Sequence, residues 1–320
     1  MLIDKVEIDK SEEIDIFEEK ILKYSPALFE LLLKDKTTGK NILWGTDDYK
    51  KYGNLYDARC EIKMELITGF NSEIIQPRAT KEMKHQSSRT KEKAEVFTPS
   101  WVCNKQNNLV DREWFGRIEV FNIENEESWE TIEEKIFFPE IKGKSWKDYI
   151  DARRMEISCG EAPYLVSRYD TVTGEKIEVK DRVGLLDRKL RIVNENTDTK
   201  EEWLKWTIRA FESIYGFEFQ GDNLLLAREN LLYTFIDNYE YKWHEKVRLQ
   251  DLKKIANIIA WNLWQMNGIT YTIPYAEIEE NSFQLNIFEV VQKEKVAKYC
   301  KIKDWRAGKT TEYRLLIRGE

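Results

Sequence analysis

The clearest pattern of apolar and polar residues lies in the second half of the chain. Residues 199–202 have the spacing of a helix capping box, and apolar positions from 203 to 211 recur at helical spacing. A strand is predicted at 213–219, and a second helix is predicted at 222–238, where leucines recur on one face. Helix, strand and helix in this order are typical of a parallel sheet with crossover connections. Glu218 is therefore expected where a parallel strand meets the helix that follows it.

A similar change of pattern occurs upstream of this region. Residues 155–157 predict a short strand, 158–162 a turn of small residues, and the apolar residues after the turn a helix. In a Rossmann-like sheet such a turn holds a ligand, because small residues let the backbone approach it closely. The run Gly160-Glu161-Ala162-Pro163 lacks a full glycine fingerprint. A strand-turn-helix unit without a ligand is therefore the alternative interpretation.

A carboxylate at the position of Glu218 could accept hydrogen bonds from the ribose hydroxyls of an adenosyl ligand. The alternative is a solvated glutamate near a strand end. The small-residue turn upstream favours ribose binding, because the two features would meet at the same edge of a parallel sheet.

The first part of the chain predicts a small α+β region, which we place at residues 1–88. An apolar run at 27–33 predicts a helix, and an apolar-polar alternation at 62–70 predicts strands after it. We assign residues 89–320 to a second domain, which contains the predicted ligand-binding turn.

Two segments of that second domain need separate interpretation. Residues 121–146 are acidic and aromatic and predict a surface insertion, with a helix at 127–135. For residues 261–268, a third strand and the end of an apolar helix both fit the pattern.

Composition narrows the function classes. No run of about 18 apolar residues and no signal segment is present, so we expect a soluble, cytoplasmic protein that makes no membrane contact. Four cysteines without CxxC spacing and only two histidines argue against a metal site, a disulfide framework and a Ser-His-Asp triad. The net charge of −7 argues against nonspecific coating of nucleic acid. The basic, polar residues 78–93 predict a mobile loop, either simply solvated or contacting phosphates.

Three ordered segments together resemble the adenine-specific DNA methyltransferases of bacterial restriction-modification systems, in particular the proteins described as modification subunits. Phe97-Thr98-Pro99, within 94–102, is similar to the family's element that precedes the sheet. Residues 156–165 are similar to its turn with an acidic residue, Cys and Gly. Tyr215-Gly216-Phe217-Glu218, followed by residues 226–231, is similar to its third element. The resemblance covers roughly residues 90–270.

The resemblance implies an α/β fold: a Rossmann-like, doubly wound S-adenosylmethionine-dependent methyltransferase core with a small α+β N-terminal region. It implies S-adenosylmethionine as cofactor, double-stranded DNA as a partner, and a restriction or specificity subunit as a further partner. The reaction would be direct transfer of the methyl group to N6 of adenine. The implied cofactor-binding residues are Phe97, Thr98, Pro99, Glu156, Cys159, Gly160, Ala162, Pro163 and Glu218.

One departure from the family pattern concerns catalysis. Family members hold the target amine with an Asn or Asp-Pro-Pro-aromatic motif, and this chain has no such tetrapeptide. The nearest replacements are Ile273-Pro274-Tyr275 and Lys303-Asp304-Trp305-Arg306. Asp304 and Trp305 are our candidates for the base-facing catalytic role.

Two further function classes stay open. In one, the chain is a catalytically incomplete subunit that binds S-adenosylmethionine or DNA and needs a partner chain for activity. In the other, it is a methyltransferase acting on RNA or a small molecule, since fold alone does not select the substrate.

Overall fold

A computed structural model describes residues 18–80, 98–276 and 298–318. The helices in these ranges are α1 Glu18–Tyr24, α2 Pro26–Leu33, α3 Ser100–Phe115, α4 Trp146–Asp151, α5 Leu185–Asn196, α6 Lys200–Glu212, α7 Gly221–Trp243, α8 Leu249–Asn262 and α9 Tyr313–Arg318. The strands are β1 Asn122–Glu124, β2 Trp129–Thr131, β3 Arg154–Ile157, β4 Ile214–Glu218, β5 Leu263–Gln265, β6 Lys301–Asp304 and β7 Lys309–Glu312.

Strands β3, β4 and β5 form a parallel sheet in that spatial order. Gly216 lies in the middle strand, opposite Glu156 of β3 on one side and Leu263 of β5 on the other. Helices α5 and α6 connect β3 to β4, and α7 and α8 connect β4 to β5. The predicted α/β class is confirmed, as are the strand at 213–219 and the helices on either side of it.

Both interpretations of residues 261–268 are correct, each for a part of the segment. Helix α8 ends at Asn262, and β5 begins at the next residue. The amide of Asn262 donates to the carbonyl oxygens of Phe211 and Ile214, each at 2.9 Å. This side chain therefore fixes the point where the helix gives way to the strand.

The two faces of the parallel sheet are covered differently. Ile214 and Leu263 point into a core formed with helices α5 to α8. On the opposite face, Tyr215, Phe217 and Trp264 form a smaller cluster with the antiparallel β6–β7 hairpin and the start of α9. In the described residues, the long helices thus pack on one face, whereas a doubly wound sheet carries helices on both.

The β6–β7 hairpin does not cover the whole length of strand β3. Its residues Met155 and Ile157 face the hairpin side of the sheet and are 37% and 69% exposed. Glu156, between them, is buried on the helical side. Strand β3 is therefore an edge strand with one buried face and one solvent-exposed face.

The N-terminal residues pack into the same core as the sheet. Arg228 of α7 is fully buried, and its guanidinium donates to the carbonyl oxygens of Leu32 in the last turn of α2, of Lys34 just after α2 and of Leu263 in β5. Leu28 and Phe29 of α2 belong to the core cluster that also holds the helices of the sheet. Over the described residues, the predicted regions 1–88 and 89–320 therefore share one core.

Three local predictions were wrong. The helix predicted at 127–135 is instead part of the β1–β2 hairpin, because the backbone N–H of Asn125 closes a turn on the carbonyl of Ser128 and Arg191 donates to the carbonyls of Ile132 and Glu134. These contacts use backbone oxygens that a helix would need for itself.

The strands predicted at 62–70 are short 3-10 turns at Met64–Leu66 and Gly69–Asn71. The Thr68 hydroxyl donates to the carbonyl of Met64 and so supports this tight local path. A helix was also expected directly after residue 162, but the next α-helix begins only at Leu185. The predicted helix at 27–33 is present as α2.

Among the described residues, no helix is both long enough and apolar enough to cross a bilayer.

Candidate functional site

A cleft of about 1260 Å³ opens at the carboxyl ends of β3 and β4. Its floor contains the turn after β3 and the end of β4, including Gly160 and Glu218. Thr98 and helix α3 line one wall, and Gly45 and Arg78 from the N-terminal region line another. The carboxyl edge of a parallel sheet is where open α/β folds bind ligands, and the volume exceeds what a small-molecule site requires.

The turn after β3 has an unusual backbone. Ser158, Gly160 and Ala162 have φ angles of 49°, 53° and 66°, so alternate residues adopt the left-handed conformation. Between them, the N–H of Cys159 donates to the carbonyl of Phe217 at 2.9 Å and continues the ladder to β4. A side chain at Gly160 would enter open space, since no atom of residues 18–80, 98–276 or 298–318 lies within 4 Å of a Cβ placed there. The turn thus offers bare backbone to the cleft.

Glu218 ties this turn to the start of α7. One carboxylate oxygen, Oε2, accepts from the N–H of Gly160 at 2.9 Å, and Oε1 accepts from the N–H groups of Phe219 and Gln220 at 2.8 and 3.0 Å. A carboxylate offers about four lone-pair positions. Glu218 can therefore accept one further hydrogen bond from a ligand without releasing the turn.

Glu156 stabilises the other half of the same turn. Its carboxylate accepts from the N–H groups of Tyr164 and Leu165 at 3.4 and 3.2 Å. No helix continues from this point, because the carbonyl oxygens of Tyr164 and Leu165 accept from the N–H groups of Leu185 and Leu186, each at 2.8 Å, and are not free for the next turn of a helix.

The cleft is acidic. Burial raises the pKa of Glu156 well above its usual range, and the nearby Glu218 carboxylate raises it further, against the two backbone N–H donors. Burial also raises the pKa of Glu218, despite its three donors. Glu161 is buried beside the cleft, and its carboxylate accepts from the N–H of Arg78 and the hydroxyl of Tyr169. Three carboxyl groups thus face or adjoin the cleft.

The N-terminal region contributes a wall through a close backbone contact. Gly45 has a φ of 69°, and a Cβ there would lie 2.5 Å from the carbonyl oxygen of Phe219. The Gln265 amide bridges the two segments, because its Nε2 donates to the carbonyls of Leu43 and Phe219, each at 2.8 Å. Glycine at position 45 allows the N-terminal chain to reach the end of β4.

The predicted cofactor-binding residues can now be placed. Glu156, Cys159, Gly160, Pro163, Glu218 and Thr98 all line the cleft. Ala162 is fully buried at the end of the turn, and Pro99 precedes α3. The carbonyl oxygen of Thr98 accepts a hydrogen bond from the hydroxyl group of Thr171 at 2.8 Å. Phe97 and the greater part of 78–93 lie outside the described residues.

The two candidate catalytic residues lie elsewhere. Asp304 forms an ion pair with Arg153 at 3.0 Å, just before the amino end of β3. The indole N–H of Trp305 donates to the Asn262 side chain at 2.7 Å, just before the amino end of β5. Both residues are therefore at the edge of the sheet opposite the cleft, and the structure does not bring them to it.

The other sequence replacement does reach the cleft. Tyr275 lines its mouth, with its ring 5.6 Å from that of Phe219 and 4.9 Å from the guanidinium of Arg59. Sequence reasoning did not assign Arg78, Asn107 or Asn223 to the site, although they also line it. Asn223 could have been found as a polar residue in the first turn after a predicted ligand-facing strand, whereas Arg78 was interpreted only as the start of the basic segment 78–93.

Comparison with protein-family models, with characterised proteins and with solved structures finds no match to this chain.

Proposed function

We propose that the cleft binds S-adenosylmethionine and that the chain serves methylation of adenine N6 in DNA. The observation that carries the cofactor proposal is the meeting of Glu218 with the Cys159-Gly160 turn at the carboxyl edge of the sheet. Thr98, on the facing wall, is the third element that the family resemblance requires in the same place.

The charge of the cleft fits this cofactor. S-adenosylmethionine carries a sulfonium and an ammonium group against one carboxylate, so it is a net cation. Its binding would favour the ionised forms of Glu156 and Glu218, whose pKa values burial raises. Glu218 has capacity for one ribose hydroxyl, and the open face of Gly160 leaves room for the ligand against the backbone. Thr98 would contact the methionine end, as the resemblance implies.

The cofactor would supply a methyl group already activated for transfer. The work of the protein would be to orient the two reactants, exclude water and accept hydrogen bonds from the target amine. Among residues of the two replacement motifs, Tyr275 lines the cleft, and Asp304 and Trp305 do not.

This placement favours the second form of the proposal, a cofactor-binding modification subunit that a partner chain completes. The partner would supply the amine-accepting group that the missing tetrapeptide provides in the family. A methyltransferase complete in itself would need that group from residues of this chain near Tyr275.

The first experiment is calorimetric titration of S-adenosylmethionine into the purified protein and into Gly160→Asn. Asparagine tolerates the left-handed conformation, so the variant should keep the turn while its side chain fills the cleft. Gly116→Asn is the matched control, because Gly116 also has a positive φ of 72° with open space around it, at the exposed C-terminus of α3.

We expect binding by the native protein and by Gly116→Asn, with at least a tenfold loss in Gly160→Asn. Absence of binding by the native protein, or equal binding by both variants, would refute the cofactor assignment. Transfer of a labelled methyl group to DNA only after addition of a partner chain would then distinguish the subunit from the complete enzyme.

A further inference from the structure

A group of four lysines, which we call the lysine patch, consists of Lys34, Lys36, Lys301 and Lys303. Two segments distant in sequence contribute these lysines, and helix α8 contacts one of them. The N–H of Lys301 in β6 donates to the Thr37 hydroxyl at 3.0 Å, so β6 begins against the turn after α2. Lys36 reaches α8, where its Nζ donates to Asn257 at 2.8 Å.

The positive charge of the patch is not balanced by its neighbours in sequence. Asp35 turns inward, and its carboxylate accepts hydrogen bonds from Thr37 and Thr38. Asp304 pairs with Arg153, and Glu312, opposite Lys301 in the hairpin, pairs with Arg314.

The pKa of Lys36 reflects the same excess of positive charge. Burial lowers the pKa of Lys36, and the positive charges of Arg228, Lys303 and Lys34 lower it further. Side chains at 301 and 303 share one face of β6, while Ile302 points into the core on the other. The lysines therefore present their charge together.

An aromatic surface adjoins the patch. The ammonium of Lys303 lies 4.1 Å from the ring centre of Trp305 and 5.8 Å from that of Trp261. The hydrogen bond from Trp305 to Asn262 fixes the first of these rings. Both tryptophans are half-buried and so expose part of their rings beside the cations.

We propose that the lysine patch is a binding surface for the phosphate backbone of a nucleic acid. Clustered lysines beside partly exposed aromatic rings suit a backbone of phosphates and sugars better than they suit a carboxylate-rich peptide. The chain as a whole has a net charge of −7, so attraction of a polyanion depends on this local surface. The choice of DNA as the probe rests on the proposed function, whereas the charge and geometry of the patch are independent of it.

The position of the patch makes the two proposals separable. Trp261 and Trp305 lie at the amino end of β5, and the cofactor cleft lies at the carboxyl ends of β3 and β4. Loss of DNA binding without loss of S-adenosylmethionine binding would therefore concern the patch alone.

The test measures binding of a fluorescently labelled DNA duplex by anisotropy, for the native protein and for Lys301→Gln combined with Lys303→Gln. Lys135→Gln combined with Lys142→Gln is the matched control, since both lysines are exposed and the change in net charge is identical. Lys36→Gln is a second test on another segment, because glutamine can retain the contact with Asn257. Circular dichroism would verify that each variant keeps the native fold.

We expect the patch variant to bind more weakly and its salt dependence to fall by about two units in the slope of log K against log salt. The affinity gap to the native protein should narrow roughly tenfold between about 50 and 200 mM salt. The control variant should match the native protein.

Three outcomes would overturn the proposal: no DNA binding by the native protein, equal losses in the patch and control variants, or binding of polyglutamate as tight as that of DNA. The last result would assign the patch to an acidic protein partner.

Discussion

The carboxylate of Glu218 and the backbone N–H of Gly160 are joined by a hydrogen bond of 2.9 Å. The bond connects the end of the middle strand to the turn that follows the edge strand. The same carboxylate faces the cleft, so its contribution to the shape of the turn and its contribution to ligand binding must be measured separately.

Replacement of Glu218 by alanine should destabilise the fold by about 2 kcal/mol, because the N–H groups of Gly160, Phe219 and Gln220 lose their acceptor. Glu218→Gln should cost about 1 kcal/mol, because its carbonyl oxygen can still accept. Urea unfolding measures both, and Glu113→Ala on the exposed face of α3 is the control. Native-like stability of Glu218→Ala would show that the carboxylate does not hold the turn.

Arg228 should be among the most sensitive positions in the core. Its buried guanidinium caps the ends of α2 and α8 through carbonyl oxygens, among them those of Leu32 and Leu263. Arg228→Met would leave these oxygens without a donor, and we expect a loss of about 3–5 kcal/mol. Thermal unfolding measures this loss of stability. The control is Arg112→Met, at an exposed arginine of α3. Equal melting temperatures for the two variants would contradict the capping role.

The local periodicity of apolar residues was sufficient to predict β4 and the helices on either side of it. The strand is buried along its whole length and the helices beside it have strong apolar faces, so their sequence alone reflects their burial. Glu218 and the turn at Cys159 were predicted for the same reason, since the carboxyl ends of parallel strands share one edge.

Other features depended on contacts between distant residues. The β1–β2 hairpin is stabilised by Arg191, which lies on a helix some sixty positions away in sequence. The sequence favoured Asp304 over Tyr275 for the base-facing role, and only the path of the chain places Tyr275 at the cleft and Asp304 beside Arg153. No local pattern carries that information.

Two buried carboxyl groups should make stability fall as pH rises. Burial raises the pKa of Glu18 to about 8 from 4.5. Burial and the charge of Glu18 raise the pKa of Glu229, whose two oxygens have no hydrogen-bond partner among the described residues. A raised pKa in the folded state means that the fold binds the proton more tightly than the unfolded chain. The stabilisation is therefore complete below about pH 4.5 and is lost as pH approaches 8.

The loss should reach several kcal/mol, with an upper limit of about 5 kcal/mol from the shift of Glu18. Denaturant unfolding between pH 5 and pH 9 measures it. Glu229→Gln should flatten the dependence and be more stable than the native protein at the upper end, and Glu30→Gln, on the exposed face of α2, should follow the native curve. Parallel curves for all three proteins would rule out the buried pair as the cause.

The left-handed backbone at Ser158 predicts a stabilising substitution inside the candidate site. Its φ of 49° costs a residue with a Cβ about 1–2 kcal/mol, and glycine loses about 0.5–1 kcal/mol more in conformational entropy on folding than other residues. The first effect is larger, so Ser158→Gly should stabilise the protein by about 0.5–1 kcal/mol. Ser72 has an ordinary φ of −61°, and Ser72→Gly should therefore lose stability by a similar amount. Chemical denaturation of both variants checks the opposite signs, and a loss of stability in Ser158→Gly would mean that the turn is not strained at this residue.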